Sequence, residues 1–355
     1  MSELVGLLLA GSAPGGELSE IAGRSAVQAL PVANRPLIAH ALEAMRDCGI
    51  REVGVLVSPD TLGEMEALAG DGSEHGLQVG YIPDSARPGL VPALAAAASF
   101  VGERSVLVYR GDGLLTGPLA PAAEEFRRIG PDAMLLAVRP PRHAGGALAG
   151  RRLLHLVGDR TLPRSEHVLA GAHFFTAPVV EAATRLLAAG GRPTIAEALG
   201  VVLDEGGDIE TRWVDGWWHC DGTVDRLLEA NRIVLDALET SLDDVDVSAA
   251  HIEGRASIHP TAVLERSTVR GPAAIGAGAV LLDTFVGPYT SIGDNVRLEG
   301  AEIQHSIVLP GATIRHPGGR LESSLVGPEA TIGRDFALPA ALRLRVGRRA
   351  DVSLS

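Results

Sequence analysis

Cysteine is scarce. Cys48 and Cys220, in 355 residues, are too few for a disulfide framework, so a reducing cytoplasm is the expected compartment. Positive charge is also in deficit, with 31 basic side chains against 44 acidic ones and a net charge of −13. That balance argues against a partner that is a nucleic-acid polymer or an anionic membrane. It leaves room for a small anionic ligand, because a local pocket can oppose the net charge. The N-terminal apolar run is too short for a membrane span and lacks the basic flank of a signal peptide. Aromatics are only 3%, alongside abundant Ala, Leu, Val and Gly, which reads as a high-GC genome bias without functional meaning.

Apolar residues make up 46%, enough for a substantial core in one large or two ordinary domains. Val5 to Ala10 is a short continuous apolar run, the pattern of a buried strand in a parallel sheet. Gly11 ends it, a loop with Gly15, Gly16 and Gly23 follows, and Pro36 opens a helical pattern. Strand, glycine loop and helix is the layout of a phosphate-binding site. Further strands are expected at Val53–Ser58, Leu77–Pro83, Ser105–Asp112 and Ala133–Arg139. Helices are expected at Thr61–Ala69, Leu90–Val101, Pro121–Ile129 and Asp225–Leu238. The alternation gives an α/β layer with a mostly parallel sheet. Ligands of such sheets bind beyond the carboxyl ends of the strands. Asp112 stands at such an end, placed to hold a magnesium ion bridging phosphates; the plainer alternative is that it caps a turn.

From Ile252 the chain repeats. Ile252, Ile258 and Leu264 lie six apart, and seventeen residues on stand Val269, Ile275 and Leu281. A second step gives Val286, Ile292 and Leu298, and a third gives Ile303 and Leu309 before the pattern breaks at Arg315. It resumes with Val326, Ile332 and Leu338. Hexapeptide periodicity is the signature of a parallel β-helix, with one aliphatic side chain per face in a continuous core and glycines at the corners. Such a domain is expected to build oligomers. His251, His259, His305 and His316 lie in the repeat; with no recognisable acyl-donor site, acyl transfer is set aside.

The frame Leu7-Leu8-Leu9-Ala10-Gly11, followed by Ser25-Ala26-x-Gln28-x-Leu30-Pro31-Val32-Ala33-Asn34-Arg35-Pro36, resembles the sugar-1-phosphate nucleotidyltransferases. The resemblance is to the long, two-domain glucose-1-phosphate thymidylyltransferase type. It continues in Gly70-Asp71-Gly72-Ser73, Gly111-Asp112, Gly171-Ala172-His173-Phe174, Gly216-Trp217-Trp218 and the segment Asp225-Arg226-Leu227-Leu228-Glu229-Ala230-Asn231. It implies a Rossmann-like nucleotidyltransferase domain over 1–240, a linker over 241–250 and a left-handed parallel β-helix over 251–340. A basic tail with Arg343, Arg345, Arg348 and Arg349 follows over 341–355. The implied reaction joins a nucleoside triphosphate and a sugar 1-phosphate with release of pyrophosphate. The resemblance puts nucleotide contacts at Ala10, Gly11, Gly15, Gly16, Gln28 and Gly111, and sugar-phosphate contacts at Gly146, Gly171 and Arg160. Mg2+ would sit on Asp112 and Asp221.

Inside that frame the chemistry departs from the family. The second glycine of the loop is Ser12, the loop arginine falls near Gly16 or Glu17, and the loop lysine falls on Val27. The lysine that grips the sugar phosphate aligns with Asp159, a charge reversal against a dianion. The second metal aspartate aligns with Cys220, with Asp221 displaced by one. His219, Cys220 and Asp221 in succession suggest a soft-metal site, but further ligands cannot be placed, and a drifted loop is the preferred reading. Arg24 is the only basic residue between Gly11 and Asn34, and Arg160 or Arg164 are the other candidates for lost phosphate contacts. Two readings follow. One is a weakly active or inactive homologue that binds nucleotide or sugar phosphate, with an active paralogue as a further partner. The other is an active nucleotidyltransferase with an altered substrate such as a cyclitol phosphate.

Overall fold

The computed structural model describes residues 3–10, 17–23, 26–84, 89–138, 168–220, 222–242 and 245–334. In chain order the first domain runs β1 (Leu4–Leu9), α1 (Glu17–Ala22), the short pair β2 (Pro31–Val32) and β3 (Arg35–Pro36), α2 (Leu37–Asp47), β4 (Glu52–Val57), α3 (Pro59–Ala69) and β5 (Gln78–Pro83). Next come α4 (Leu90–Ala96), α5 (Ala98–Val101), β6 (Ser105–Arg110), β7 (Gly113–Leu115), α6 (Ala120–Ile129) and β8 (Ala133–Val138). It continues with β9 (Val168–Phe175), α7 (Ala177–Ala188), α8 (Ile195–Asp204), β10 (Ile209–Trp213), β11 (Trp217–His219) and α9 (Val224–Asp236). The helix expected over Leu90–Val101 is in two pieces, because Ala97 leaves helical geometry at φ −89° and ψ 0°.

Seven strands form one sheet in the order β10-β8-β9-β6-β1-β4-β5. All neighbours are parallel except β9, which runs antiparallel to β6 and β8. Alternate side chains of β1 serve opposite faces. Leu4 and Leu8 join the core under α2, and Val5 and Leu7 join the core under α4 and α7. Both faces are covered, which is why β1 reads as an unbroken apolar run. Gly6 is required on the α2 face, since a Cβ there would stand 2.8 Å from the Met45 sulfur.

The second domain is a parallel β-helix of three five-stranded sheets, from Ala250–Glu253 to Thr331–Gly333. Its first coils keep the step of seventeen, pairing Val269 with Val286 and Leu281 with Leu298. The register then differs from the expected one. Ile292 pairs with Val308 and Leu298 with Ile314, so one coil is a residue short. Ile303 pairs with Leu321 and Val308 with Val326, so the next is a residue long. The inward side chains are therefore Val308 and Ile314 in place of Leu309 and Arg315. Leu309 is still buried, but in a different cluster, against the first domain. Corners are not reserved for glycine: Gly278, Asn295, Gly311 and Glu329 hold the same left-handed corner of successive coils, at φ between 54° and 75°.

The domains share two apolar clusters. One joins Leu18 and Ala22 of α1, Leu114 of β7, Cys220 and Leu227 to Ile307 and Leu309 of the β-helix. Beside the second, the buried Asn231 of α9 bridges the domains by hydrogen bonds. Its Oδ1 accepts from the Ala33 backbone N–H (2.8 Å) and the Ser291 hydroxyl (2.7 Å), and its Nδ2 donates to the Tyr289 carbonyl (3.2 Å).

Candidate functional site

The expected strand Ser105–Asp112 ends at Arg110, and Gly111 and Asp112 turn the chain into β7. Gly111 donates its N–H to the Leu9 carbonyl (3.0 Å), so this turn lies beside the carboxyl end of β1, where Ala10 is fully buried. β7 pairs antiparallel with β11, setting His219 opposite Gly113, and the Cys220 N–H donates to the Asp112 carbonyl (2.8 Å). Four chain segments thus meet at the strand ends where the sequence places a ligand: the end of β1, the β6–β7 turn, the end of β11 and the turn carrying Gln28.

Asp112 is the centre of charge. Its carboxylate accepts two hydrogen bonds from one guanidinium, Arg110 Nε to Oδ1 (3.1 Å) and Arg110 Nη2 to Oδ2 (2.7 Å). The His219 ring lies 3.6 Å from Oδ1, too far for a hydrogen bond. Burial works to raise the Asp112 carboxyl, but the neighbouring His219 and Arg110 outweigh it, and the group stays below the usual carboxylate range. Asp112 is therefore an anion at neutral pH, held by an arginine two residues away.

Gln28 is fully buried, and its Oε1 and Nε2 have no hydrogen-bond partner among the described residues. A Cβ on Gly111 would stand 2.9 Å from Gln28 Cγ, so the glycine lets the glutamine lie against the turn. An orphaned buried carboxamide costs stability unless something meets it, which marks Gln28 as a group that awaits a polar partner. Trp217 forms the other wall. Its ring packs edge-on to Tyr109 at 5.4 Å between centroids and lies on Gly113 and Gly171. A Cβ would stand 2.2 Å from its Cζ2 at Gly113 and 1.9 Å from it at Gly171, so neither position accepts a side chain.

Behind this wall His173 is buried in β9. Its Nδ1 accepts from the Leu136 N–H (3.2 Å), at the irregularity where β8 slips against β9 between Leu135 and Ala137. Burial, with a smaller push from Arg110, lowers its imidazolium pKa to about 4. The ring is neutral, as an acceptor Nδ1 requires.

The structure brings together Ala10, Gln28, Gly111, Asp112 and Gly171. Gly11, Gly15, Gly16, Arg24, Gly146, Arg160 and Asp221 lie outside the described residues. Three contributors escape a reading by motif. Arg110 is the last residue of β6, and the turn at Gly111 and Asp112 brings the Asp112 carboxylate back onto its guanidinium. Trp217 belongs to the Gly216-Trp217-Trp218 segment of the resemblance, but that segment does not give its place as the wall over Gly113 and Gly171. The third is an absence: the chain contains no lysine, and all 31 basic side chains are arginine. No other lysine can replace those missing from the loop and from position 159.

The resemblance implies a magnesium ion on Asp112 and Asp221, and Asp221 lies outside the described residues. Both Asp112 oxygens are engaged by Arg110. Cys220, at the aligned second position, shares the apolar cluster of Leu18, Leu30 and Leu114. No group of three or more His, Cys, Asp or Glu side chains that could hold a metal occurs among the described residues. The described residues do not fit a divalent ion.

Residues 5–237 match the family model for nucleotidyl transferase. The chain is 34% identical over 354 residues to a glucose-1-phosphate thymidylyltransferase of Streptomyces griseus, covering 98% of this chain and 99% of that one. It is 33% identical over 357 residues to the low-salt glycan biosynthesis nucleotidyltransferase Agl11 of Haloferax volcanii, with the same coverage. A crystal structure of a putative glucose-1-phosphate thymidylyltransferase from Bacillus anthracis superposes with a TM-score of 0.53 at 20% identity, over 64% of this chain and 94% of that one, and shares the fold. The match spans both the strand-end site and the repeat domain, and this chain therefore belongs to the nucleotidyl transferase family, in the long two-domain form similar to glucose-1-phosphate thymidylyltransferases.

Proposed function

We propose that this protein binds a nucleoside triphosphate or a sugar 1-phosphate at the strand-end site, has lost nucleotidyl transfer at ordinary enzyme rates, and acts in the cytoplasm as a binding or regulatory homologue. The observation that carries this reading is the absence of lysine. Attack on an α-phosphate builds negative charge in the transition state, and positioned cations and N–H groups must meet it. Losing one such donor costs on the order of 10²–10³ in rate. Here two lysine positions and one arginine position carry other residues, one of them the acidic Asp159. Binding is supported by Gln28, whose buried carboxamide a ligand would satisfy.

The test is a pyrophosphate-release screen across nucleoside triphosphates and sugar or cyclitol phosphates, with magnesium present. Turnover far below roughly 1 s⁻¹ is expected for every pair. Glucose 1-phosphate turned over at that rate or faster would sink the reading. The near-full-length similarity to thymidylyltransferases favours a second reading, an active enzyme with an altered acceptor. Pyrophosphate release with a cyclitol phosphate, and not with glucose 1-phosphate, would select it. Regular coil faces further suggest that the β-helix assembles copies of the chain, and light scattering should then give at least a dimer.

A further inference from the structure

A divalent ion needs carboxylate oxygens it can approach to about 2.0–2.1 Å, in near-octahedral geometry. Asp112 offers none in this structure. The fork of Arg110 closes on both oxygens, at 3.1 and 2.7 Å, in the side-on arrangement that suits a guanidinium. The Asp112 side chain is only 12% exposed, whereas that of Arg110 is 48% exposed. The carboxylate is thus the buried base of the pair, and the guanidinium is its face toward solvent. A guanidinium carries five N–H donors, and the two bonds to Asp112 use two of them. Nη1 has no hydrogen-bond partner among the described residues.

We propose that Arg110 is the resident cation of this site: its guanidinium occupies the place on Asp112 where a divalent ion would bind and presents its remaining donors to the phosphate oxygens of a nucleotide. Resting on the binding reading above, it follows that the protein takes a nucleoside triphosphate without a divalent ion. One fixed positive charge replaces two, which leaves binding in place and weakens stabilisation of a more highly charged transition state.

The test uses the full-length protein, its variants Asp112→Asn, Arg110→Met and the double variant, and manganese as the probe. Manganese binding is followed by electron paramagnetic resonance without nucleotide. Wild type and Asp112→Asn should bind manganese equally weakly. Arg110→Met should bind it at least tenfold more tightly, and the double variant should lose that gain. Magnesium should also raise the melting temperature of Arg110→Met and leave wild type unchanged. Wild type that binds manganese tenfold or more tightly than Asp112→Asn overturns the proposal, and that comparison stands even if Arg110→Met does not fold. Thymidine triphosphate affinity is then measured calorimetrically in EDTA and in magnesium. Equal affinity within about twofold is expected for wild type, and binding only with magnesium overturns the proposal. Triphosphate that binds in neither condition refutes the binding reading, while the nucleotide-free manganese comparison still decides the role of Arg110.

Discussion

Replacing Asn231 with leucine keeps the branching of the side chain, adds some bulk, and removes every hydrogen bond by which this residue joins the two domains. Asn231 is fully buried, and its amide serves the Ala33 N–H, the Ser291 hydroxyl and the Tyr289 carbonyl. Ser291 is 1% exposed and Ala33 9%, so neither regains water as long as the domains stay docked. A buried donor left without a partner costs about 1–3 kcal/mol. Two such donors, with a partial contribution from the more accessible Tyr289 carbonyl, give a loss of about 3 kcal/mol or more. The control Ser291→Ala deletes one donor and leaves Asn231 bonded to Ala33, so about 1 kcal/mol is expected. Urea unfolding followed by tryptophan fluorescence and by far-ultraviolet circular dichroism measures both. Trp213, Trp217 and Trp218 all lie in the first domain, so fluorescence reports that domain, whereas dichroism reports both. Asn231→Leu should lower stability and separate the two transitions as the docking weakens. A loss under about 1 kcal/mol, with the two probes still coincident, would refute the reasoning.

Acid should destabilise the fold through His173. Its folded pKa is lowered to about 4, so as pH falls below about 6.5 the unfolded chain takes up a proton that the native ring refuses. Stability is fully present above about pH 6.5 and declines by up to about 3 kcal/mol as pH falls to about 4. His173→Gln, whose amide oxygen can still accept from Leu136, should flatten that slope; an unchanged pH profile would count against His173 as its source. Gly171→Ala should drive Trp217 off the sheet, with a change in tryptophan emission and a loss of about 1–3 kcal/mol from overpacking. Wild-type emission and stability in that variant would show that the ring moves aside freely. A monomer by light scattering at micromolar concentration would remove the assembly expectation for the β-helix.

Strands β1, β4, β6 and β8 were legible because covered strands leave unbroken apolar runs, as in Val53 to Val57 and Val106 to Tyr109, whereas the edge strand β10 was not, because Glu210 and Arg212 interrupt it. The β-helix was legible because each coil repeats the same demand for an aliphatic side chain on each face. Its local slip was not, because Ile307, Val308 and Leu309 are all aliphatic and periodicity cannot say which one faces in. The structure decides it: Val308 joins the coil interior, and Ile307 and Leu309 pack toward the first domain. Asp112 was legible as a residue at a strand end, but its partner was not. Motif comparison asks which family residues are present, and Arg110 belongs to no quoted motif. The turn at Gly111 and Asp112, which folds the carboxylate back onto the last residue of β6, follows from the backbone and not from a spacing in the sequence.

The resemblance puts a second carboxylate at position 220, and the packing of the β-helix determines what a charge there would meet. Cys220 is 3% exposed and shares its cluster with Leu18 of α1, Leu114 of β7 and, from the β-helix, Ile307 and Leu309. An aspartate at 220 would have to desolvate its charge within this cluster, at a cost of several kcal/mol, or displace the aliphatic side chains that join the domains. With a small, weakly polar thiol there, the floor of the site can be apolar and continuous with the domain interface. Among the described residues of the site, the Asp112 carboxylate then needs only one counter-charge, and Arg110 supplies it from the end of β6. An apolar floor at Cys220 and an arginine at 110 are therefore mutually consistent: an aspartate at 220 or a neutral side chain at 110 would leave a buried or half-buried charge unmatched.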